Sequence, residues 1–211
     1  MSPSDQVAEY LDEVGALLYS VPRQPIQEII DAILIAHTFG RTIYVIGNGG
    51  SASTATHFAC DLQKWTITPG QPRVKAIALT DNMALFSAYA NDDGYEHVFE
   101  AQLRTLLRPG DVVVAISGSG RSPNVLRAIA FANEHGAVTI GLTGFNGGEL
   151  AGMTDHSLVV PSSRMNQIED VHMTLCHLIA DAVRVALSDT DSMARAFQPH
   201  EQRDPSTVES V

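Results

Sequence analysis

Thr42-Ile43-Tyr44-Val45-Ile46-Gly47-Asn48-Gly49-Gly50-Ser51 is the stretch whose reading decides the fold. A β-branched apolar run breaks into a glycine-rich turn, and helical spacing follows at once over Ser51–Trp65. A buried strand feeding a helix in this way opens a βαβ unit. Four more short apolar runs repeat the signal: Val74–Leu79, Asp111–Ile116, Val138–Leu142 and Ser157–Val160. The runs near 75 and 140 are almost wholly apolar, which predicts strands covered on both faces. Helical periodicity occupies Gly94–Leu107 and Ser122–His135, so the chain is expected to form a doubly wound α/β domain. That domain has five parallel strands with helices on both faces. Ser4–Tyr19 and Pro25–Phe39 read as two amphipathic helices joined at Pro22, lying on the sheet or on a second subunit. A long last helix covers about Asn166–Leu187. The domain is placed at 1–187 with the helical pair 4–39 included, and 188–211 reads as a flexible acidic tail.

Thirteen Lys and Arg against 24 Asp and Glu give a net charge of -11. That balance argues against a broad grip on nucleic acid or on an anionic membrane. The acidic N-terminal stretch, with Asp5, Glu9, Asp12 and Glu13, does not resemble a secretory signal, and no run nears the roughly 18 apolar residues of a membrane span. Cys60 and Cys176 form neither a CxxC nor a disulfide framework, so both read as small core residues in a reducing cytoplasm.

The loop after the first strand, Gly47-Asn48-Gly49-Gly50-Ser51, places glycines and a helix N-terminus where open α/β sheets hold ligands. Ser117-Gly118-Ser119-Gly120-Arg121-Ser122-Pro123 repeats the device after the third strand, with proline in the first helical turn. Hydroxyls and backbone amides at both loops suit a phosphomonoester and need no lysine, which is how an acidic protein can hold an anion. The first loop also fits the dinucleotide pattern GxGxxG/A, with Asp81 beyond the second strand as a ribose-binding acid. Neither loop reads GxSxG, so a hydrolase elbow has no support.

His57 and Asp61 stand at i, i+4 on one helix face. Glu169 and His177 on the last helix are eight positions apart, about 80° of rotation, and share a broad face. If the helices meet, two imidazoles and two carboxylates form a site for a divalent ion of the zinc type. His37, His97, His135 and His172 read as structural or solvated.

These motifs together resemble the sugar isomerase (SIS) domain and, within it, the phosphoheptose isomerases. The residues that carry the resemblance are Gly47–Ser51 with His57-Phe58-Ala59, Ala90-Asn91-Asp92-Asp93-Gly94-Tyr95, Ser117–Asn124, Ile140–Gly144, and Glu169-Asp170-Val171-His172 with His177. The resemblance implies a flavodoxin-like three-layer fold, a homotetramer with sites near subunit boundaries, and one zinc ion per subunit. It implies that Ser117, Gly118, Ser119 and Ser122 hold a sugar phosphate while Asn48, Gly49, Gly50, Ser51, Asn91, Asp92 and Glu169 line the rest. His57, Asp61, Glu169 and His177 are the implied metal shell. The family has Glu at the position of Asp61 and Gln at that of Glu169. Ketose–aldose isomerisation needs an acid and a base, and Asp61 and His177 are assigned to that pair, with metal ligation by the same two residues left open. The rival readings are a non-catalytic SIS protein, which regulates by binding a sugar phosphate or associates with a replication-initiation protein, and an isomerase of another sugar phosphate.

Overall fold

The computed structural model describes residues 2–189. Two helices, α1 (Pro3–Ser20) and α2 (Arg23–Thr38), precede β1 (Thr42–Gly47), α3 (Gly50–Lys64), β2 (Lys75–Ala78) and α4 (Met83–Asp92). A 3-10 turn at Tyr95–His97 leads to α5 (Glu100–Leu106), β3 (Val112–Ser117), α6 (Pro123–Glu134), β4 (Val138–Thr143), α7 (Leu150–Met153), β5 (His156–Val159) and α8 (Met165–Ser188). The five strands are parallel in the order β2-β1-β3-β4-β5. This is the flavodoxin-like order, whose switch point lies between β1 and β3.

Alternation along the buried strands explains the three layers. Ile43, Val45, Val112, Val114 and Ile116 face a core shared with α2, α3 and α8, while Tyr44, Ile46, Val113 and Ala115 face a second core shared with α5 and α6. By length and composition α8 could cross a membrane, yet its apolar face, including Ile168, Val171, Leu175, Ile179 and Val183, is buried in the first core.

Three expectations change. β2 is an edge strand covered on one side: Ala76 and Ala78 are buried, whereas Lys75 and Ile77 are exposed. The helix expected over Gly94–Leu107 is interrupted, because Gly94 takes φ +100 and the chain forms only a 3-10 turn before α5. Ahead of it α4 arises from a segment that carried no helical reading. Asn82 caps it by accepting the Leu85 N–H at 3.1 Å, and its Phe86 ring packs edge-on against Tyr95 and Phe99. α2 lies on the sheet as expected, but α1 buries no residue and is held to α8 through Tyr10–Asp170 and a Glu13–Arg164 ion pair. The tail read at 188–211 falls outside the described residues from 190 onward.

Candidate active site

β1 and β3 are neighbours, so the helices that follow them open on one cleft of about 270 Å³. Asn48, Gly49, Gly50 and Ser51 line it from the first loop and Ser117, Gly118, Ser119 and Ser122 from the second. Neither Gly49 nor Ser122 caps its helix with a side chain, and the Gly50 and Ser51 N–H groups of α3 carry no bond among the described residues, so they and the positive helix ends are left for a ligand; at α6 Pro123 has no N–H and the Val125 N–H is taken by the Asn124 side chain and the Ser122 carbonyl. The Ser117 and Ser122 hydroxyls stand 3.4 Å apart. Backbone bonds hold the second loop in place: the Gly118 carbonyl accepts from Gly144 N–H at 2.9 Å, and the Gly120 carbonyl accepts from Glu149 and Leu150 N–H, each at 3.0 Å.

The cleft sits at one end of the contact between α3 and α8. Gly50 lies against Glu169, His57 against His177, and Trp65 against Asp181, so the two helices run in the same direction. Near the middle of this contact the Nε2 atoms of His57 and His177 are 3.0 Å apart, and Asp61 Oδ2 lies 3.4 Å from the first and 3.7 Å from the second. One ligand atom from each of the three residues falls within 4.8 Å of the others. Ligands held at 2.0–2.1 Å around a tetrahedral ion stand roughly 3.4 Å apart, so the three side chains fit a divalent cation. Asp61 reaches both imidazoles. A further cleft of about 350 Å³ opens beside the group, between Asp61, Trp65, His177 and Asp181.

Other expected site residues stand apart. Glu169 does not join the three-residue group. Eight residues of α8 carry it about 12 Å along the axis from His177, a displacement that a shared helix face does not reveal. Its carboxylate instead lines the cleft, so close to Gly50 that a Cβ there would lie 2.4 Å from Oε1. Its negative charge therefore falls on the anion cradle. Asn91 and Asp92 end α4, exposed and bonded to each other at 2.7 Å, and do not line the cradle. Asp81 accepts from the Thr56 hydroxyl at 2.8 Å. Cys176 is a core residue, its thiol pushed up by burial and by the Asp61 carboxylate, but Cys60 is exposed, because α3 turns that side outward.

The SIS domain family matches residues 9–144. The phosphoheptose isomerase of Paramagnetospirillum magneticum is 37% identical over 178 residues, covering 84% of this chain and 92% of that protein. This chain belongs to the SIS-domain family, among the phosphoheptose isomerases. Two solved phosphoheptose isomerases carry the similarity into three dimensions. That of Neisseria gonorrhoeae has a TM-score of 0.79 at 33% identity over 86% of this chain and 98% of that one. That of Francisella tularensis has a TM-score of 0.82 at 29% identity over 88% and 100%.

Within this phosphoheptose isomerase fold the structure adds residues that the sequence reading gave no role. Asn124 and Tyr95 bond to Asn48, and Trp65 and Asp181 wall the cleft beside the histidine pair. Their signal lay in spacing: Trp65 follows Asp61, and Asp181 follows His177, by one helical turn.

His172 is structural, as expected. It is fully buried, its Nε2 stands 3.0 Å from the Thr143 carbonyl, and Nδ1 has no partner among the described residues. Burial holds it neutral, with a pKa down to about 4 from the ordinary 6.5 and only a partial offset from the Thr143 bond. Between these values the unfolded chain takes up a proton that the folded chain refuses, so stability falls as the pH drops from 6.5 and the loss is complete below about 4. The expected loss is about 3 kcal/mol. Urea unfolding at pH 7 and pH 4 should show wild type losing that much more than His172→Asn, and equal losses would contradict the assignment.

Proposed function

We propose that this chain is an aldose–ketose isomerase that interconverts D-sedoheptulose 7-phosphate and D-glycero-D-manno-heptose 7-phosphate, working in the cytoplasm as a zinc-dependent homotetramer. The observation that carries this reading is the pairing of an uncapped Ser/Gly cradle with a His–Asp–His group along one helix contact. Seven residues of α3, about 10 Å, separate Gly50 from His57. That span suits an open-chain heptose with its phosphate in the cradle and its carbonyl end at the group.

Ser117, Ser119, Ser122 and the first-turn amides of Gly50 and Ser51 in α3 bind the phosphate as hydrogen-bond donors. Asp61 accepts the proton from carbon 1 of the ketose while protonated His177 gives one to the oxygen on carbon 2, forming the enediol. Asp61 then returns its proton to carbon 2, and neutral His177 takes the proton from the oxygen on carbon 1, which yields the aldose and restores both groups. His57, Asp61 and His177 are the residues that would hold zinc, His177 only while its Nε2 carries no proton, so ligation and proton donation are exclusive roles of that ring. Three protein ligands with an open position is the pattern of a catalytic zinc site, and the bound ion would stabilise negative charge on the substrate oxygens. Half-exposure of His57 and His177, together with an α4 that buries no residue, supports a site completed at a subunit boundary.

Metal analysis of the purified protein, paired with an assay on sedoheptulose 7-phosphate, tests this. One zinc per subunit is expected, with activity lost on chelation and restored by added zinc. Bound metal without turnover would instead support the regulator that only binds a sugar phosphate.

A further inference from the structure

Asn48 lines the phosphate cradle and also a second cleft of about 650 Å³, into which Tyr95 and Asn124 project from the 3-10 turn and from α6. The two asparagine amides are paired head to tail: Asn48 Nδ2 donates to Asn124 Oδ1 at 2.9 Å, and Asn124 Nδ2 donates to Asn48 Oδ1 at 2.8 Å. Such a ring could exist with both amides reversed, but one backbone group decides between the two arrangements. The Val125 N–H, which can only donate, stands 3.0 Å from Asn124 Oδ1 and fixes that atom as the acceptor. Asn124 Nδ2 must then face Asn48, and Asn48 must present Oδ1 to it. The Tyr95 hydroxyl completes the set by donating to the same Asn48 Oδ1 at 2.9 Å. Asn48 Oδ1 is therefore saturated by two donors. Its amide keeps one N–H without a protein partner among the described residues, on the residue that joins the cradle.

We propose that Asn124 and Tyr95 are positioning residues: through the Asn124–Asn48–Tyr95 network they hold the Asn48 amide with a free N–H directed to the anionic end of the substrate, an inference that rests on the sugar-phosphate reading of the cradle. An asparagine left to rotate would present its carbonyl to an anion about as readily as its N–H. The network removes that alternative before the ligand arrives, which is preorganisation of a neutral donor. Asn124 is 1% exposed and cannot swing to solvent.

The test measures the affinity for inorganic phosphate by calorimetry, together with KM and kcat on sedoheptulose 7-phosphate. It compares wild type, Tyr95→Phe, Asn124→Ala, Asn48→Ala and the Tyr95→Phe/Asn48→Ala double variant. Tyr95 is 51% exposed and Phe retains the ring contact with Phe86, so this variant isolates the hydroxyl without risk to the fold. Loss of one neutral hydrogen bond should weaken phosphate binding and raise KM roughly two- to ten-fold with kcat unchanged. Asn124→Ala should do the same or more, and Tyr95→Phe should add nothing once Asn48 is Ala. Unchanged affinity in Tyr95→Phe, or an equal loss on top of Asn48→Ala, would overturn the proposal. A wild type that binds phosphate but turns over no heptulose phosphate would overturn the isomerase reading alone, and the affinity cycle would still judge the network. A wild type that binds no phosphate would overturn both.

Discussion

Asp61→Asn and His177→Gln are each expected to lower kcat by about 10²–10⁴-fold, the range general acid–base groups supply. The mechanism needs a carboxylate that can take a proton from carbon and an imidazole that can pass one between oxygens. An amide in either place does neither. Folding should be nearly unaffected, because the His177 side chain is 52% exposed and that of Asp61 21%, and substitutions at such positions usually change stability by less than about 0.5–1 kcal/mol. Metal content separates ligation from proton transfer. His177→Gln removes one imidazole from a three-residue group and should release metal as well as activity. An Asp61→Asn protein that keeps its metal but loses turnover assigns Asp61 chiefly to proton transfer, whereas loss of both assigns it to the ligand set. Near wild-type kcat in either variant would refute the acid/base pair.

The same group marks how far the sequence could be read. β1 with its glycine loop was legible because a strand buried on two faces is apolar without interruption, and because a turn into a helix advertises itself by Gly and Ser. The pairing of His57 with Asp61 was legible because i, i+4 spacing fixes a face. Glu169 was not. Helical rotation says which side a residue faces, but the partner beside it depends on where two helices cross, and here Glu169 meets Gly50 at the cradle rather than the imidazoles. α4 escaped notice for another reason. Its inward stripe, Phe86, Tyr89 and Ala90, is short and only partly buried, and the apolar but exposed Met83 and Leu85 blur it. β2 misled in the opposite direction: Ile77 looks like a core residue, yet it lies on the open face of an edge strand. The consequence for function is that the two acids act in different places. Asp61 bears on the metal group, and Glu169 adds its charge where the phosphate is held.

Gly120→Ala is expected to cost about 3–5 kcal/mol and to abolish phosphate binding, from two effects that can be separated. Gly120 holds φ +61, a left-handed conformation that costs an L-residue roughly 1–2 kcal/mol. It also passes so close to the loop after β4 that a Cβ would lie 2.1 Å from the Gly147 carbonyl oxygen, and that atom belongs to backbone and cannot rotate away. The approach is mutual, since a Cβ on Gly148 would lie 2.4 Å from the Gly120 carbonyl oxygen. Relief requires the two loops to part, which stretches the bonds from Glu149 and Leu150 to that carbonyl and moves Ser119 and Ser122 out of register with the rest of the cradle. Gly70 supplies the internal comparison: it too has positive φ, at +82, but a Cβ there meets nothing within 4 Å. Gly70→Ala should therefore lose only the backbone share, about 1–2 kcal/mol. Urea midpoints of the two variants decide the matter. If Gly120→Ala were no less stable than Gly70→Ala, the close crossing of the loops would not be what shapes the cradle. If it were much less stable, yet bound phosphate normally once folded, the crossing would serve the fold and not the site.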